Sequence, residues 1–174
     1  MAGAELILGG ARSGKTARAL ARAEAAAAAR VYVATAEAWD DEMAARIARH
    51  KAERGAGWRT VEAPLDLPGA LACVGADEAV LIDCLTLWLS NLMGAQRDPE
   101  AETAALIEAV AACPARVFLV SNEVGLGLVP ETPLGRAFRD RQGWLNQRVA
   151  AAAGRVTFVA AGLPLTLKPT AGGA

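Results

Sequence analysis

Eight residues near the amino terminus constrain the fold more than any others. Gly9-Gly10-Ala11-Arg12-Ser13-Gly14-Lys15-Thr16 fits the pattern G-x-x-x-x-G-K-[ST]. That pattern functions only where a strand precedes it and a helix follows. Here Glu5–Leu8 reads as a strand and Lys15–Ala29 as a helix. The glycines let backbone N–H groups turn toward phosphate oxygens with no Cβ in the way. The helix N-terminus adds its positive dipole. In such a cradle Lys15 reaches the β- and γ-phosphates of a nucleotide, and the Thr16 hydroxyl holds Mg²⁺. The alternative is a chance match in a glycine-rich chain, and the flanking strand and helix argue against it.

The rest of the chain continues this alternation. Apolar β-type runs stand at Val31–Ala34, Trp58–Val61, Ala79–Asp83, Val117–Ser121 and Val156–Val159. Helical patterns lie among them, at Asp41–Arg54, Leu67–Val74, Leu85–Met93, Glu100–Ala112 and Leu134–Ala153. Continuous apolar strands alternating with helices predict an α/β fold, a mainly parallel sheet with helices on both faces. Pro164 counts against a last short run, Leu163–Leu167, because it removes a ladder donor. Pro99 with Glu100 and Glu102 marks a helix start, Pro114 a stop, and Gly154 a C-cap. With no linker and 174 residues, a single domain over 1–174 is expected, with 170–174 frayed.

Composition excludes several classes. A chain that is 53% hydrophobic is too apolar to be disordered. Eighteen Lys+Arg against 19 Asp+Glu gives no basic footprint, so no nucleic-acid partner is expected. The most apolar stretch, Ala79–Met93, is broken by Asp83, Thr86, Ser90 and Asn91. It falls short of the roughly 20 residues a bilayer needs, so no membrane span is expected. The opening MAGAELILGG lacks a basic region and carries Glu5, so it is not read as a leader. Cys73, Cys84 and Cys113 are odd in number without paired spacing, and read as reduced thiols of a cytoplasmic protein.

A phosphate cradle needs a second magnesium partner at the end of another strand. Asp83, closing Ala79-Val80-Leu81-Ile82, is the candidate. It could also cap the helix from Leu85, and the roles are compatible because ligands gather at the carboxyl ends of parallel strands. Glu123 is either a second acid at a strand end or a loop residue. His50 is the only histidine. On a helix over Asp41–Arg54, Arg46, His50 and Arg54 fall at i, i+4 and i+8 on one face. Such a stripe could grip a triphosphate while the imidazole attacks a phosphorus, and flanking cations favour the neutral ring. From spacing alone, a solvated surface histidine is the plainer reading.

Taken together, GGARSGKT, DDEMAARIARHKAERG-x-x-WRTVE, LIDCLTLWLSNL, SNEVGLGLVPE and GLPLTLK resemble the bifunctional adenosylcobinamide kinase / adenosylcobinamide-phosphate guanylyltransferase family of cobalamin biosynthesis. The similarity runs from about Ile7 to Lys168. Many families share the phosphate loop, whereas the single-histidine segment ending in WRTVE and the SNEVG-x-G-x-VP run are more specific. The resemblance implies a RecA-like P-loop fold and a homotrimer. It implies phosphorylation of adenosylcobinamide by ATP or GTP, then transfer of GMP from GTP to adenosylcobinamide phosphate through a guanylyl-histidine at His50. It carries nucleotide contacts onto Gly9, Gly10, Ala11, Arg12, Ser13, Gly14, Lys15 and Thr16. Further contacts fall on Ala34, Thr35 and Ala36, on Lys51, Ala52, Glu53 and Arg54, and on Glu62 and Asp83. Mg²⁺ would sit between Thr16 and Asp83.

Two other readings compete. A simple P-loop small-molecule kinase would have no use for His50. A nucleotide-gated binding module would be a non-enzyme, but the chain has neither an Asn-Lys-x-Asp guanine reader nor an ABC-type signature. Trp39, Trp58, Trp88 and Trp144 read as core or interface packing before they read as a corrinoid surface. Leu85, Trp88, Leu89 and Leu92 follow helical spacing and read as core or subunit contact. Arg136, Arg139, Arg141 and Arg148 read as a solvated or intersubunit helix face.

Overall fold

The computed structural model describes residues 1, 3–37 and 54–170. Seven strands form one sheet: β1 Ala4–Gly9, β2 Ala29–Ala34, β3 Trp58–Glu62, β4 Glu78–Asp83, β5 Arg116–Asn122, β6 Arg155–Ala160 and β7 Leu163–Lys168. Their order across the sheet is β3-β2-β4-β5-β1-β6-β7. All neighbours pair in parallel except β6 and β7. This is the expected mainly parallel α/β sheet of a P-loop nucleotide-binding fold.

Each inner strand divides its side chains between two buried faces, which is why the strands read as unbroken apolar runs. On one face Leu6, Leu8, Val31, Val33, Val80, Ile82, Val117 and Leu119 form the larger core. Four helices pack there: α2 Leu67–Ala72, α3 Leu85–Gly94, α4 Pro99–Ala112 and α5 Pro133–Ala152. On the other, Ile7, Tyr32, Leu81, Phe118 and Val120 meet α1, Lys15–Glu24. Ala19 and Ala23 are the buried residues of α1, and their small side chains let the helix lie close over β4 and β5. Leu85, Trp88, Leu89 and Leu92 are all buried, as their spacing predicts. Arg136, Arg141 and Arg148 lie on the exposed side of α5.

Helix starts follow local chemistry. Asp66, Asp98 and Thr132 each accept a backbone N–H of the first turn, from Gly69, Glu100 and Gly135. Pro99 and Pro133 occupy the first position, where a missing N–H costs nothing. The structure corrects three expectations. The first helix ends at Glu24, not Ala29, because Ala29 already belongs to β2 and Arg30 is held by Gly57. There the Arg30 N–H donates to the Gly57 carbonyl at 2.9 Å, and the guanidinium lies over Trp58. Asp83 does not cap α3, since Cys84 occupies that position. Leu163–Lys168 is a strand, because Pro164 sits on the sheet's outer edge, where no further ladder partner needs its N–H.

Candidate active site

β1 lies between β5 and β6, so the chain leaves the sheet at Gly9 with Asn122 on one side and Val159 on the other. A Cβ on Gly9 would collide with Ser13 Oγ and would stand 2.5 Å from the Val159 carbonyl oxygen. Only glycine allows this exit. The loop then turns tightly: the Ser13 N–H donates to the Gly10 carbonyl at 3.3 Å, and Gly14 adopts φ 94° before α1 begins. Lys15 curls back to donate from Nζ to the Gly10 carbonyl at 3.0 Å. Thr16 follows on the first turn of α1.

A support for this loop was not visible in the sequence. Ala161 and Gly162, both at positive φ, form the two-residue turn between β6 and β7. The Gly162 N–H donates to the Ser13 carbonyl at 2.8 Å, and Gly162 packs directly against Gly14. On the other side the Glu123 N–H donates to the Gly9 carbonyl at 3.1 Å. Glu123 itself accepts the Gly125 N–H at 2.7 Å, so its carboxylate shapes its own loop. The local signal for the hairpin is the Ala161-Gly162 pair between two apolar runs. Ala-Gly is a weaker turn signature than Asn-Gly, and the positive φ of Ala161 is not predictable from alanine.

The end of β4 lies at the same edge of the sheet, one strand removed from β1, with β5 between them. Asp83 pairs in register with Ala34 of β2, and the hydroxyl of Tyr32 donates to Asp83 Oδ2 at 2.8 Å. Burial, reinforced by the Asp83 charge, holds the Tyr32 phenol far above its ordinary range, so it stays a neutral donor. Burial likewise pushes the Cys84 thiol up to about 11, with Asp83 raising it and Lys15 lowering it. Thr35 binds the β2 and β4 ends together. Its hydroxyl accepts the Cys84 N–H at 2.7 Å and donates to the Cys84 carbonyl at 2.8 Å. Asn91 donates to the Thr35 carbonyl at 2.8 Å and to that of Pro64 at 3.0 Å.

The structure thus brings Gly9–Thr16, Ala34–Ala36 and Asp83 to one carboxyl edge of the sheet. Glu62 closes β3, whose neighbour is β2. The Arg54 guanidinium stacks 3.7 Å from the centre of the Tyr32 ring and donates to Thr60 at 3.2 Å. His50, Lys51, Ala52, Glu53, Arg46 and Trp39 lie outside the described residues. Thr16 and Asp83 offer hard oxygen donors, a hydroxyl and a carboxylate, of the kind Mg²⁺ prefers. Among the described residues no three His, Cys, Asp or Glu side chains gather as a metal site. Glycine-loop N–H groups, a lysine and a facing carboxylate can cradle a phosphate chain and balance its charge.

A family model described as cobinamide kinase / cobinamide phosphate guanyltransferase matches residues 5–167. The chain is similar to the bifunctional adenosylcobalamin biosynthesis protein CobP of Pseudomonas aeruginosa. They are 49% identical over 168 residues, covering 94% of this chain and 96% of that protein. Bifunctional adenosylcobalamin biosynthesis proteins CobU of Salmonella typhimurium and Escherichia coli are 44% and 42% identical, each over 179 aligned positions and 98% of its length.

Proposed function

The chain belongs to the cobinamide kinase / cobinamide phosphate guanyltransferase family, and from that premise we propose how its residues divide the work. It is an enzyme of cobalamin biosynthesis, both kinase and guanylyltransferase. In the first reaction the aminopropanol hydroxyl of adenosylcobinamide attacks the γ-phosphorus of ATP or GTP. The new oxygen–phosphorus bond forms as the bond to the β-phosphate bridge breaks. The nucleoside diphosphate leaves, and the hydroxyl proton passes to solvent.

In the second reaction the His50 imidazole attacks the α-phosphorus of GTP and pyrophosphate departs. The phosphate of adenosylcobinamide phosphate then takes the GMP from His50, giving adenosylcobinamide-GDP and restoring the imidazole. Splitting one displacement into two in-line steps suits a neutral imidazole nucleophile.

Gly9, Gly10, Ala11, Arg12, Ser13 and Gly14 present the phosphate cradle, and Lys15 offsets charge on the β- and γ-phosphates. Ala34, Thr35, Ala36, Lys51, Ala52, Glu53, Arg54, Glu62 and Asp83 complete the nucleotide contacts. Because the Thr35 hydroxyl is spent on Cys84, its contribution is positional. Thr16 and Asp83 would hold Mg²⁺, which when bound neutralises phosphate charge. One domain carries both reactions, in the cytoplasm, with no nucleic-acid partner. No described helix is long and apolar enough to cross a membrane.

We assign the chain to a homotrimer. The support is apolar surface at the β7 edge and around the start of α5: Leu163, Leu165, Leu167, Leu126, Leu128 and Leu134 are all more than half exposed.

The observation that carries the reading is the convergence of the Gly9–Thr16 loop and Asp83 on one edge of the sheet, in a chain matched to this family over 5–167. Incubation with α-labelled GTP, followed by denaturing electrophoresis, tests it. Acid-labile, alkali-stable label that His50→Ala abolishes is expected. An absence of label, with kinase turnover intact, would reduce the chain to a plain small-molecule kinase.

A further inference from the structure

We propose that Tyr32 is a positioning residue for the divalent cation: its hydroxyl, on a ring held under the Arg54 guanidinium, fixes the Asp83 carboxylate in the orientation that meets the metal. The proposal rests on the reading of Asp83 as a metal partner.

The argument begins with register. Ala34 of β2 stands opposite Asp83 of β4, and Tyr32 stands opposite Leu81. Tyr32 and Asp83 are therefore diagonal neighbours on the face that α1 covers. Such diagonals lie roughly 7–8 Å apart, a span only a long or aromatic side chain crosses. Tyr32 crosses it and ends in a donor, 2.8 Å from Asp83 Oδ2. Phenylalanine would span the same gap without the donor.

A buried phenol needs some acceptor, so the bond alone could be mere satisfaction of Tyr32. Two further contacts show that the ring's direction is set independently. The Arg54 guanidinium lies 3.7 Å from the ring centre, and the Trp58 ring meets it edge-on with centroids 6.2 Å apart. Held by a cation and by an aromatic edge, the ring aims its hydroxyl one way. One carboxylate oxygen is thereby committed, which leaves Oδ1 for a cation and restricts rotation of the Asp83 side chain. Asp83 is only half-buried, so water can replace the hydroxyl in Tyr32→Phe without unfolding the strand end. What is lost is orientation. The arrangement also ties Asp83 to Arg54, a residue four positions along the chain from the single histidine.

The test measures metal binding directly, with Mn²⁺ as probe. Free Mn²⁺ is followed by electron paramagnetic resonance as it is titrated into the protein–GTP complex. Tyr32→Phe is expected to weaken Mn²⁺ about five- to tenfold, the size of one ordinary hydrogen bond, because water can replace the hydroxyl at the half-buried carboxylate. GTP affinity without metal and the melting temperature should stay those of the parent. The kinase reaction should need correspondingly more Mg²⁺ and recover its rate when Mg²⁺ is saturating. Parent-like Mn²⁺ affinity in Tyr32→Phe, beside a clear loss in Asp83→Asn, overturns the positioning role and leaves Asp83 as a metal partner. Parent-like affinity in Asp83→Asn overturns the reading beneath it and the proposal with it.

Discussion

Replacing Gly9 by alanine tests how closely the phosphate loop depends on the packing of the sheet. Gly9 is the last residue of β1 and is paired on both sides. The added methyl would meet the Ser13 side chain, which can rotate away. It would also stand 2.5 Å from the Val159 carbonyl oxygen, which is part of the β6 ladder and cannot. A relaxed carbon–oxygen approach is about 3.3 Å, so β1 and β6 must part by roughly 0.8 Å at this point. Overpacking of this kind costs about 1–3 kcal/mol. For a domain of this size that lowers the melting midpoint by roughly 3–10 °C. The larger effect falls on chemistry. The loop N–H groups move with Gly9, and a displacement near 1 Å costs on the order of 10²-fold in rate. The assay is kcat/KM for phosphorylation of adenosylcobinamide, alongside a thermal melt. Gly10→Ala is the control for stability, because a Cβ there meets nothing within 4 Å. Its midpoint should stay within about 2 °C of the parent. A Gly9→Ala protein that melts and phosphorylates like the parent would refute the claim that the β1–β6 approach shapes the cradle.

Lys15→Ala should weaken GTP and ATP binding on the order of 10²-fold, because it removes the cation that offsets phosphate charge; Nζ donates to the half-exposed Gly10 carbonyl in the loop itself. Equilibrium binding with a fluorescent nucleotide checks this, and near-parent affinity would remove Lys15 from the phosphate site. Leu165→Glu places a charge on the exposed β7 edge, where Leu165 is 60% accessible. Light scattering after size exclusion should report a monomer in place of a trimer, and a parent that is itself monomeric at tens of micromolar would dismiss the trimer. Alkaline pH should destabilise the fold through Cys84. Burial holds that thiol up to about 11, against about 8.5 in the unfolded chain. The native state keeps a proton that the unfolded state has released, so the contribution is full below about pH 8.5 and is lost as pH rises toward 11. Denaturant midpoints across that range should fall less steeply for Cys84→Ala, and an identical slope would show that other groups carry the alkaline loss.

Where one physical rule acted alone, the sequence was a sufficient guide. Leu6 and Leu8 face one core and Ile7 the other, so β1 had to be apolar throughout, and its run announced a strand covered on both sides. The same alternation in Val80, Leu81 and Ile82 carried Asp83 to a strand end. Where two distant segments compete, local pattern misleads. Glu24–Ala29 is alanine-rich and reads as helix, yet pairing of Arg30 with Gly57 draws the last of those residues into β2. Pro164 reads as a strand breaker, yet an outer edge has no need of its N–H. The same limit applies to the site. Gly9–Thr16 is legible because one contiguous stretch supplies both the turn and the helix N-terminus. The Gly162 N–H that braces Ser13, and the Tyr32 hydroxyl that holds Asp83, lie 149 and 51 positions from their partners. No periodicity encodes those distances; they arise when parallel strands bring residues into register. The motif therefore specifies the phosphate cradle, while the sheet order decides which side chains stiffen it.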